Sequence, residues 1–211
     1  MTVSLRRRIF RGSTFPLACF SGAGLLITAS DRLAHAITAF GALIWVFCLL
    51  ALAAHFGVKI FPRRGRSVLL VFLASFIAGI FLFLLWLLSP LCAMESFFTV
   101  SLVPLFCMVS GIYKRLETLS LADTLFVSFS EALVLGILII IFALIREPIG
   151  FLSLSLPGGA QGIVLLFSFE TESFLPVRLV AGSSGALLLL GYILGLYRYI
   201  KSSPGYREEG K

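Results

Sequence analysis

Two cysteines stand in the same short pattern at two places in the chain. The pattern reads PLACFSG around Cys19 and PLFCMVSG around Cys107. Cys19 follows Arg11 by eight residues and Cys107 precedes Lys114 by seven, so a helical rise of about 1.5 Å per residue puts each thiol roughly 10 to 12 Å from a basic cluster. The flanking proline and glycine let two backbones bend and approach closely. The two thiols are therefore expected to lie at the same depth, measured from the basic clusters.

Several chemistries are open to such a pair. A single intramembrane cysteine is usually a small apolar side chain, which is the interpretation for Cys48 and Cys92. A disulfide between Cys19 and Cys107 would add little to a helix bundle facing a reducing compartment. Structural zinc sites draw on closely spaced pairs in polar loops. An iron-sulfur cluster needs four thiolates, so a second chain would have to supply two of them.

Glu131 is the acid that lies well inside an apolar segment, seven residues past Thr124. Intramembrane carboxylates mark ion paths, so Glu131 is expected to take part in cation passage. The alternative is a carboxyl that hydrates or stays protonated two turns from the membrane edge. Arg146 and Glu147 are expected to cap their own helix, the fifth, or to pair with each other at the external surface. His35 and His55 lie near segment ends and are expected to be solvated at the membrane interface. No catalytic role is predicted for these two histidines or for Arg146 and Glu147.

Membrane helices must position these residues. The chain of 211 residues is 59% hydrophobic and 13% charged, with a mean hydropathy of +1.07, which excludes a soluble globular domain and a disordered chain. The net charge of +7 comes from arginines at the ends of apolar runs. That position is typical of membrane orientation, so the lipid bilayer is a predicted partner and nucleic acid is not.

Six apolar segments predict six transmembrane helices. Four of them reach the roughly 20 residues that cross a bilayer. These are Ala34–Gly57, Val68–Cys92, Thr124–Ile145 and Leu179–Ile200. Two shorter segments, Phe15–Ala29 and Phe97–Tyr113, contain proline and glycine and predict broken or half-length helices.

The basic residues predict the orientation. Fourteen of the 17 lysines and arginines fall at the N-terminus, in the second and fourth connections and in the tail, whereas Arg32, Arg146 and Arg178 fall on the other side. Because lysine and arginine are retained on the cytoplasmic side, both termini are predicted to be cytoplasmic. A signal peptide cut near residues 34–36 is the alternative, but proline and glycine interrupt its apolar stretch and Asp31 lies close to the cut.

The two short segments begin two halves of three helices each. A single membrane domain over residues 1–211 is predicted, with one repeat at 14–92, a second at 96–200 and a cytoplasmic tail at 201–211. An odd number of helices in each half inverts the second half relative to the first. The fold class is therefore all-α integral membrane, with six transmembrane helices in two inverted three-helix repeats, the first helix of each broken or half-length. The external stretch Pro148–Val177 is expected to lie along the membrane interface or to dip into it.

The chain resembles the six-helix membrane subunits of the Rnf and sodium-pumping NADH:quinone oxidoreductase complexes, in particular the E subunit of Rnf and its D counterpart. The resemblance covers nearly the whole chain and rests on FPLAC ending at Cys19, LVPLFC ending at Cys107, and Arg146-Glu147 after the fifth segment. The chain departs from the family at Phe106, where asparagine is usual, and in the SGIYKR run that replaces Gly-Arg-Ala-Glu.

The resemblance implies that Cys19 and Cys107 bind a 2Fe-2S cluster inside the membrane, shared with a homologous subunit of inverted topology. It implies a bacterial inner-membrane complex with further subunits, in which electron relay is coupled to Na⁺ or H⁺ transport and enzyme activity belongs to the whole complex. No flavin attachment is predicted, because GSSG at residues 182–185 lacks the acceptor threonine. Two alternatives stay open, namely a small secondary transporter with inverted repeats and a scaffold subunit without a cluster.

Overall fold

The computed structural model describes residues 22–57, 65–109, 120–158, 162–168 and 178–202, and these residues are mostly helical. Helices and one hairpin follow one another along this part of the chain. They are α1 (Ala23–Ala29), α2 (Leu33–Gly57), α3 (Arg66–Leu88), α4 (Pro90–Ser101), α5 (Val103–Val109), α6 (Leu121–Phe151), β1 (Ser153–Pro157), β2 (Ile163–Ser168), α7 (Arg178–Ala181) and α8 (Ser183–Ser202).

Four helical stretches within these residues are long and apolar enough to cross a membrane. They are Leu33–Phe56, Val68–Leu88, Pro90–Cys107 and Leu121–Phe151. A further apolar stretch, Ser183–Leu196, is shorter. The prediction of a mostly helical chain with apolar helices of membrane-crossing length is confirmed, with four such stretches in the described residues where six transmembrane helices were predicted. Residues 15–21 of the first predicted segment, Phe15–Ala29, lie outside the described residues, and the rest of this segment contains α1.

Helices α2 and α6 pack against each other in antiparallel directions at the centre of the molecule. Leu33 at the start of α2 is hydrogen-bonded to Glu147 near the end of α6, and Phe40, about two turns further along α2, lies against Gly136, about three turns earlier in α6. Alanines line the buried face of α2, and small residues allow helices to approach closely where lipid tails are as apolar as leucine. These alanines are Ala36, Ala39, Ala42, Ala51 and Ala54.

The third predicted span corresponds to a helix, α3, that ends earlier than the sequence predicted. The span Val68–Cys92 was predicted as continuous, but α3 ends at Leu88 and α4 begins at Pro90. Pro90 has no amide hydrogen with which to continue α3, and the Ser89 hydroxyl caps α4 by accepting a hydrogen bond from the amide of Cys92 at 3.3 Å. Cys92 therefore lies buried in the first turn of α4 rather than at the end of the preceding helix.

Helices α4 and α5 form one apolar stretch with an interruption at Leu102. This stretch begins at Pro90, seven residues before the predicted start at Phe97. The hydroxyls of Thr38 and Ser96 are 3.1 Å apart and connect α4 to α2. The end of the predicted segment, Tyr113, lies outside the described residues.

Helix α6 extends beyond the predicted span Thr124–Ile145 at both ends. It begins at Leu121, where the Ser120 hydroxyl accepts a hydrogen bond from the amide of Asp123 and donates one to its carboxylate. It continues through Arg146 and Glu147 to Phe151. The predicted sixth span, Leu179–Ile200, is divided at residue 182 into α7 and α8.

A β-hairpin follows α6 and departs from the all-α prediction. Strands β1 and β2 pair antiparallel, with Ser153 opposite Ser168 and Pro157 opposite Ile163. Strand β1 packs against α2 and α6, while Leu165 and Phe167 of β2 are exposed. The stretch Pro148–Val177, predicted only as an interfacial or dipping segment, thus contains the end of α6 and a hairpin.

Candidate functional site

Cys107 is deeply buried on the short helix α5, with only 1% of its surface exposed. The neighbouring Phe106 ring stacks on Phe47 of α2, with ring centroids 5.7 Å apart, and so holds α5 against α2. Pro104 is the second residue of α5, a position at which its missing amide hydrogen costs no helical bond. Cys19 lies outside the described residues, so the pairing of the two thiols stays a prediction.

Burial dominates the surroundings of the Cys107 thiol, and the Glu131 carboxylate of α6 makes a smaller electrostatic contribution there. Glu131 is partly buried, and Cys107 belongs to a different helix. The sequence predicted separate roles for these two residues, one as a cluster ligand and the other on an ion path. The carboxylate of one predicted site residue thus contributes to the electrostatic surroundings of the other.

Two hydroxyl side chains precede Glu131 on the same face of α6. Thr124, Ser128 and Glu131 are spaced at i, i+4 and i+7, which places them above one another along a helix. Thr124 and Ser128 are fully buried, and within the part of the chain that the structure describes neither Oγ has a hydrogen-bond partner. Sequence reasoning missed these hydroxyls, although their helical spacing before Glu131 was the signal.

At the opposite end of α6, Arg146 is completely buried and each of its five N–H groups has an acceptor. Four acceptors are backbone carbonyls and one is a hydroxyl. Nε donates to Val180 at 3.0 Å, Nη1 to the carbonyl of Ile27 at 3.3 Å and to Oγ of Ser30, and Nη2 to Ala181 at 2.6 Å and to Gly182 at 2.9 Å.

The carbonyls bound by Arg146 belong to the C-terminal ends of α1 and α7. Such ends carry partial negative charge, which favours a cation. The structure gives Arg146 no carboxylate within ion-pair distance among the described residues. Its buried charge is therefore compensated by helix ends, by complete hydrogen bonding and by an electrostatic contribution from Asp31, which lines the same cavity.

Glu147 points to a different helix end. Its Oε2 accepts a hydrogen bond of 2.7 Å from the amide of Leu33, the first residue of α2, and the side chain is almost fully buried. Its Oε1 has no hydrogen-bond partner within the described ranges. The expectation that Arg146 and Glu147 cap their own helix or pair at the surface was wrong, because their partners come from α1, α2 and α7.

A polar cavity of about 380 Å³ lies beside Arg146. Its lining includes Asp31, His35 and Glu95, together with Phe98 and Ile27 among its apolar walls. The Nδ1 atom of His35 is 2.8 Å from Oδ1 of Asp31, and His35 is largely buried rather than solvated at the interface as expected. Its Nε2 has no hydrogen-bond partner in the described part of the chain.

The donor set available to a metal is limited in this chain. Over residues 22–57, 65–109, 120–158, 162–168 and 178–202, no three histidine, cysteine, aspartate or glutamate side chains converge. A cluster bound at Cys107 would therefore need Cys19 and thiolates from a second chain. Residues 182–185, the GSSG run, form the junction of α7 and α8, where the carbonyl of Gly182 is bound by Arg146.

Comparisons with models of known families, with curated proteins and with solved structures found no match.

Proposed function

We propose that this chain is a membrane subunit of a redox-driven ion translocase of the Rnf and NADH:quinone oxidoreductase type. It would relay electrons through a 2Fe-2S cluster shared with a homologous subunit of inverted topology. Cys19 and Cys107 would supply two of the four thiolates. The observation that carries the proposal is the buried thiol of Cys107, which stands in the second copy of the repeated cysteine pattern.

The surroundings of Cys107 fit a cluster ligand. A buried thiolate is costly when it is alone, whereas iron neutralises it. When bound, the cluster supplies reversible one-electron transfer. The residues of this chain hold the thiol in place and exclude water, since the stacked rings of Phe106 and Phe47 close the contact between α5 and α2.

The helix contacts support two inverted repeats. In this assignment α1, α2 and α3 form one repeat, and α4 with α5, α6, and α7 with α8 form the other. Three contacts made by helices of the first repeat have equivalents made by helices of the second. The contact of α2 with α3 corresponds to that of α6 with α7, and the contact of α2 with α4 corresponds to that of α6 with α1. The contact of α3 with α4 corresponds to that of α8 with α1. A pseudo-twofold axis between the antiparallel helices α2 and α6 accounts for this pattern.

Electron transfer would be coupled to ion movement through Glu131. Reduction of a cluster adds negative charge in a medium of low dielectric constant, where charges interact strongly. A cation near Glu131, which interacts electrostatically with Cys107, would then be held more tightly in the reduced state than in the oxidised state. This difference gives a physical route from the electron to Na⁺ or H⁺.

The proposed location is the bacterial cytoplasmic membrane with both termini in the cytoplasm. The uneven division of basic residues supports this orientation. It assigns the start of α6 to the cytoplasmic side, and Arg146, the polar cavity and the hairpin to the outer side.

Metal analysis and EPR spectroscopy of the complex, purified with its partner subunits, test the proposal. The wild-type complex should contain iron and give the signal of a reduced 2Fe-2S cluster. Cys19→Ala and Cys107→Ala should each abolish this signal, whereas Cys48→Ser and Cys92→Ser should retain it. Absence of iron from the wild type, or a cluster signal that persists in both alanine variants, contradicts the proposal.

The second candidate is a small secondary transporter, which the polar cavity beside Arg146 favours. A transporter needs a substrate site between its repeats and does not need paired cysteines. The iron measurement separates the candidates, because a transporter would contain no iron. A transporter would also retain full transport activity in Cys19→Ala and Cys107→Ala.

A further inference from the structure

We propose that Thr124, Ser128 and Glu131 form the entry path of a monovalent alkali cation, Na⁺ in particular, along α6. The inference rests on the proposed function, because it takes ion transport as given. It names the cation and the residues that lead it from the start of α6 towards Cys107.

The spacing of the three side chains suits successive oxygen ligands. At a rise of about 1.5 Å per residue, Thr124 and Ser128 are separated by about 6 Å along the axis and Ser128 and Glu131 by about 4.5 Å. One helical turn between oxygens allows an ion to exchange ligands stepwise while it keeps part of its hydration shell. Glu131 is the only charged residue in α6 between Asp123 and Arg146, so it defines the inner end of the path.

The hydroxyls of Thr124 and Ser128 differ from five other hydroxyls in or at the end of the described helices. A serine or threonine inside a helix commonly donates to a carbonyl three or four residues earlier. The hydroxyls that follow this rule are those of Thr28, Ser30, Thr38, Ser101 and Ser130. Thr124 and Ser128 are fully buried and make no such bond.

A buried hydroxyl without a partner is unfavourable, and a bound cation is one way to complete it. Neutral hydroxyl oxygens followed by a carboxylate are the hard ligands that alkali cations prefer over nitrogen and sulfur. Intramembrane carboxylates also mark ion pathways. The two unpartnered hydroxyls and Glu131 therefore act as one cation path rather than as three unrelated polar residues.

The test uses the complex purified with its partner subunits. Thermal unfolding and ²²Na⁺ binding are measured in NaCl, with choline chloride holding the ionic strength constant. Binding to the folded state raises the unfolding temperature, so Na⁺ should stabilise the wild type. Thr124→Val and Ser128→Ala should each raise the half-saturating Na⁺ concentration about tenfold, and Glu131→Gln should raise it further. Ser130→Ala is the matched control, because the Ser130 hydroxyl already donates to the carbonyl of Val127 at 3.0 Å.

The inference is overturned if Na⁺ and choline stabilise the wild type equally, or if Ser130→Ala shifts the Na⁺ dependence as much as Ser128→Ala does. It is also overturned if protons are transported by a complex that binds no ²²Na⁺. Iron content is measured on the same samples. Iron present with unaltered Na⁺ binding in the variants refutes the cation path alone, whereas iron absent from the wild type refutes the proposed electron relay.

Discussion

Arg146 and Glu147 are adjacent in the chain, yet they bind helix ends of opposite polarity. Arg146 donates to carbonyls at the C-terminal ends of α1 and α7, and Glu147 accepts from the amide of Leu33 at the N-terminal end of α2. The C-terminal end of a helix is partially negative and the N-terminal end partially positive, so each side chain meets the charge that it stabilises. The two residues thereby join three other helices to α6.

Replacing Arg146 by lysine should destabilise the protein although the charge is kept. Lysine has three donors on one nitrogen instead of five in a planar fork, so buried carbonyls of α1 and α7 would lose their partners. A cost of about 2 kcal/mol or more is expected, measured as a lower unfolding temperature in detergent.

Arg32→Lys is the control for that substitution. The Arg32 guanidinium lies 5.4 Å from the centroid of the Phe151 ring in a partly exposed position, and such contacts contribute about 0.5 to 1 kcal/mol. Equal unfolding temperatures for Arg146→Lys and the wild type would contradict a stabilising role for the five hydrogen bonds.

Glu147→Ala should loosen the start of α2, whereas Glu147→Gln should largely preserve it. Alanine removes the acceptor of the Leu33 amide, while the glutamine side chain keeps a carbonyl oxygen that can accept the same bond. Hydrogen exchange of the Leu33 amide, followed by mass spectrometry, should be about tenfold faster or more in Glu147→Ala. Unchanged exchange in Glu147→Ala would mean that another group satisfies this amide.

The sequence allowed the positions of the apolar helices to be predicted because their composition is local information. Their ends were less predictable. The apolar run stops at Ile145, but α6 continues to Phe151 because Arg146 and Glu147 find partners on helices that are distant in the chain. The hairpin was missed because LSLSLP was interpreted by its apolar content rather than by its alternation.

The candidate site was predictable only where it depends on local sequence. The apolar surroundings of Cys107 follow from its sequence neighbours, and its side chain is buried in the fold. Its electrostatic interaction with Glu131 depends on how α5 lies relative to α6, which local patterns do not encode. The unpartnered state of Thr124 and Ser128 likewise depends on the rotamers and packing of the folded chain.

Cysteine labelling at the two ends of α6 should report the proposed orientation. Leu165 of the hairpin and Ala122 in the first turn of α6 are both exposed and lie at opposite ends of this helix. In intact cells, a membrane-impermeant maleimide should react with Leu165→Cys and not with Ala122→Cys, and after lysis it should react with both. Labelling of Ala122→Cys alone in intact cells would reverse the orientation.

The crossing of α2 and α6 should depend on the absence of a side chain at Gly136. A Cβ atom at this position would overlap the ring of Phe40, so Gly136→Ala should lower the unfolding temperature. Gly79→Ala in α3 is the control, because no atom lies within 4 Å of the added carbon and the helix gains about 1 kcal/mol in propensity.

In Gly136→Ala with Phe40→Ala, the shorter side chain leaves room for the new methyl group. The double variant should therefore be more stable than the sum of the single changes predicts, by about 0.5 to 3 kcal/mol. Additive effects, or equal effects of alanine at Gly136 and Gly79, would show that this contact does not set the distance between the two helices.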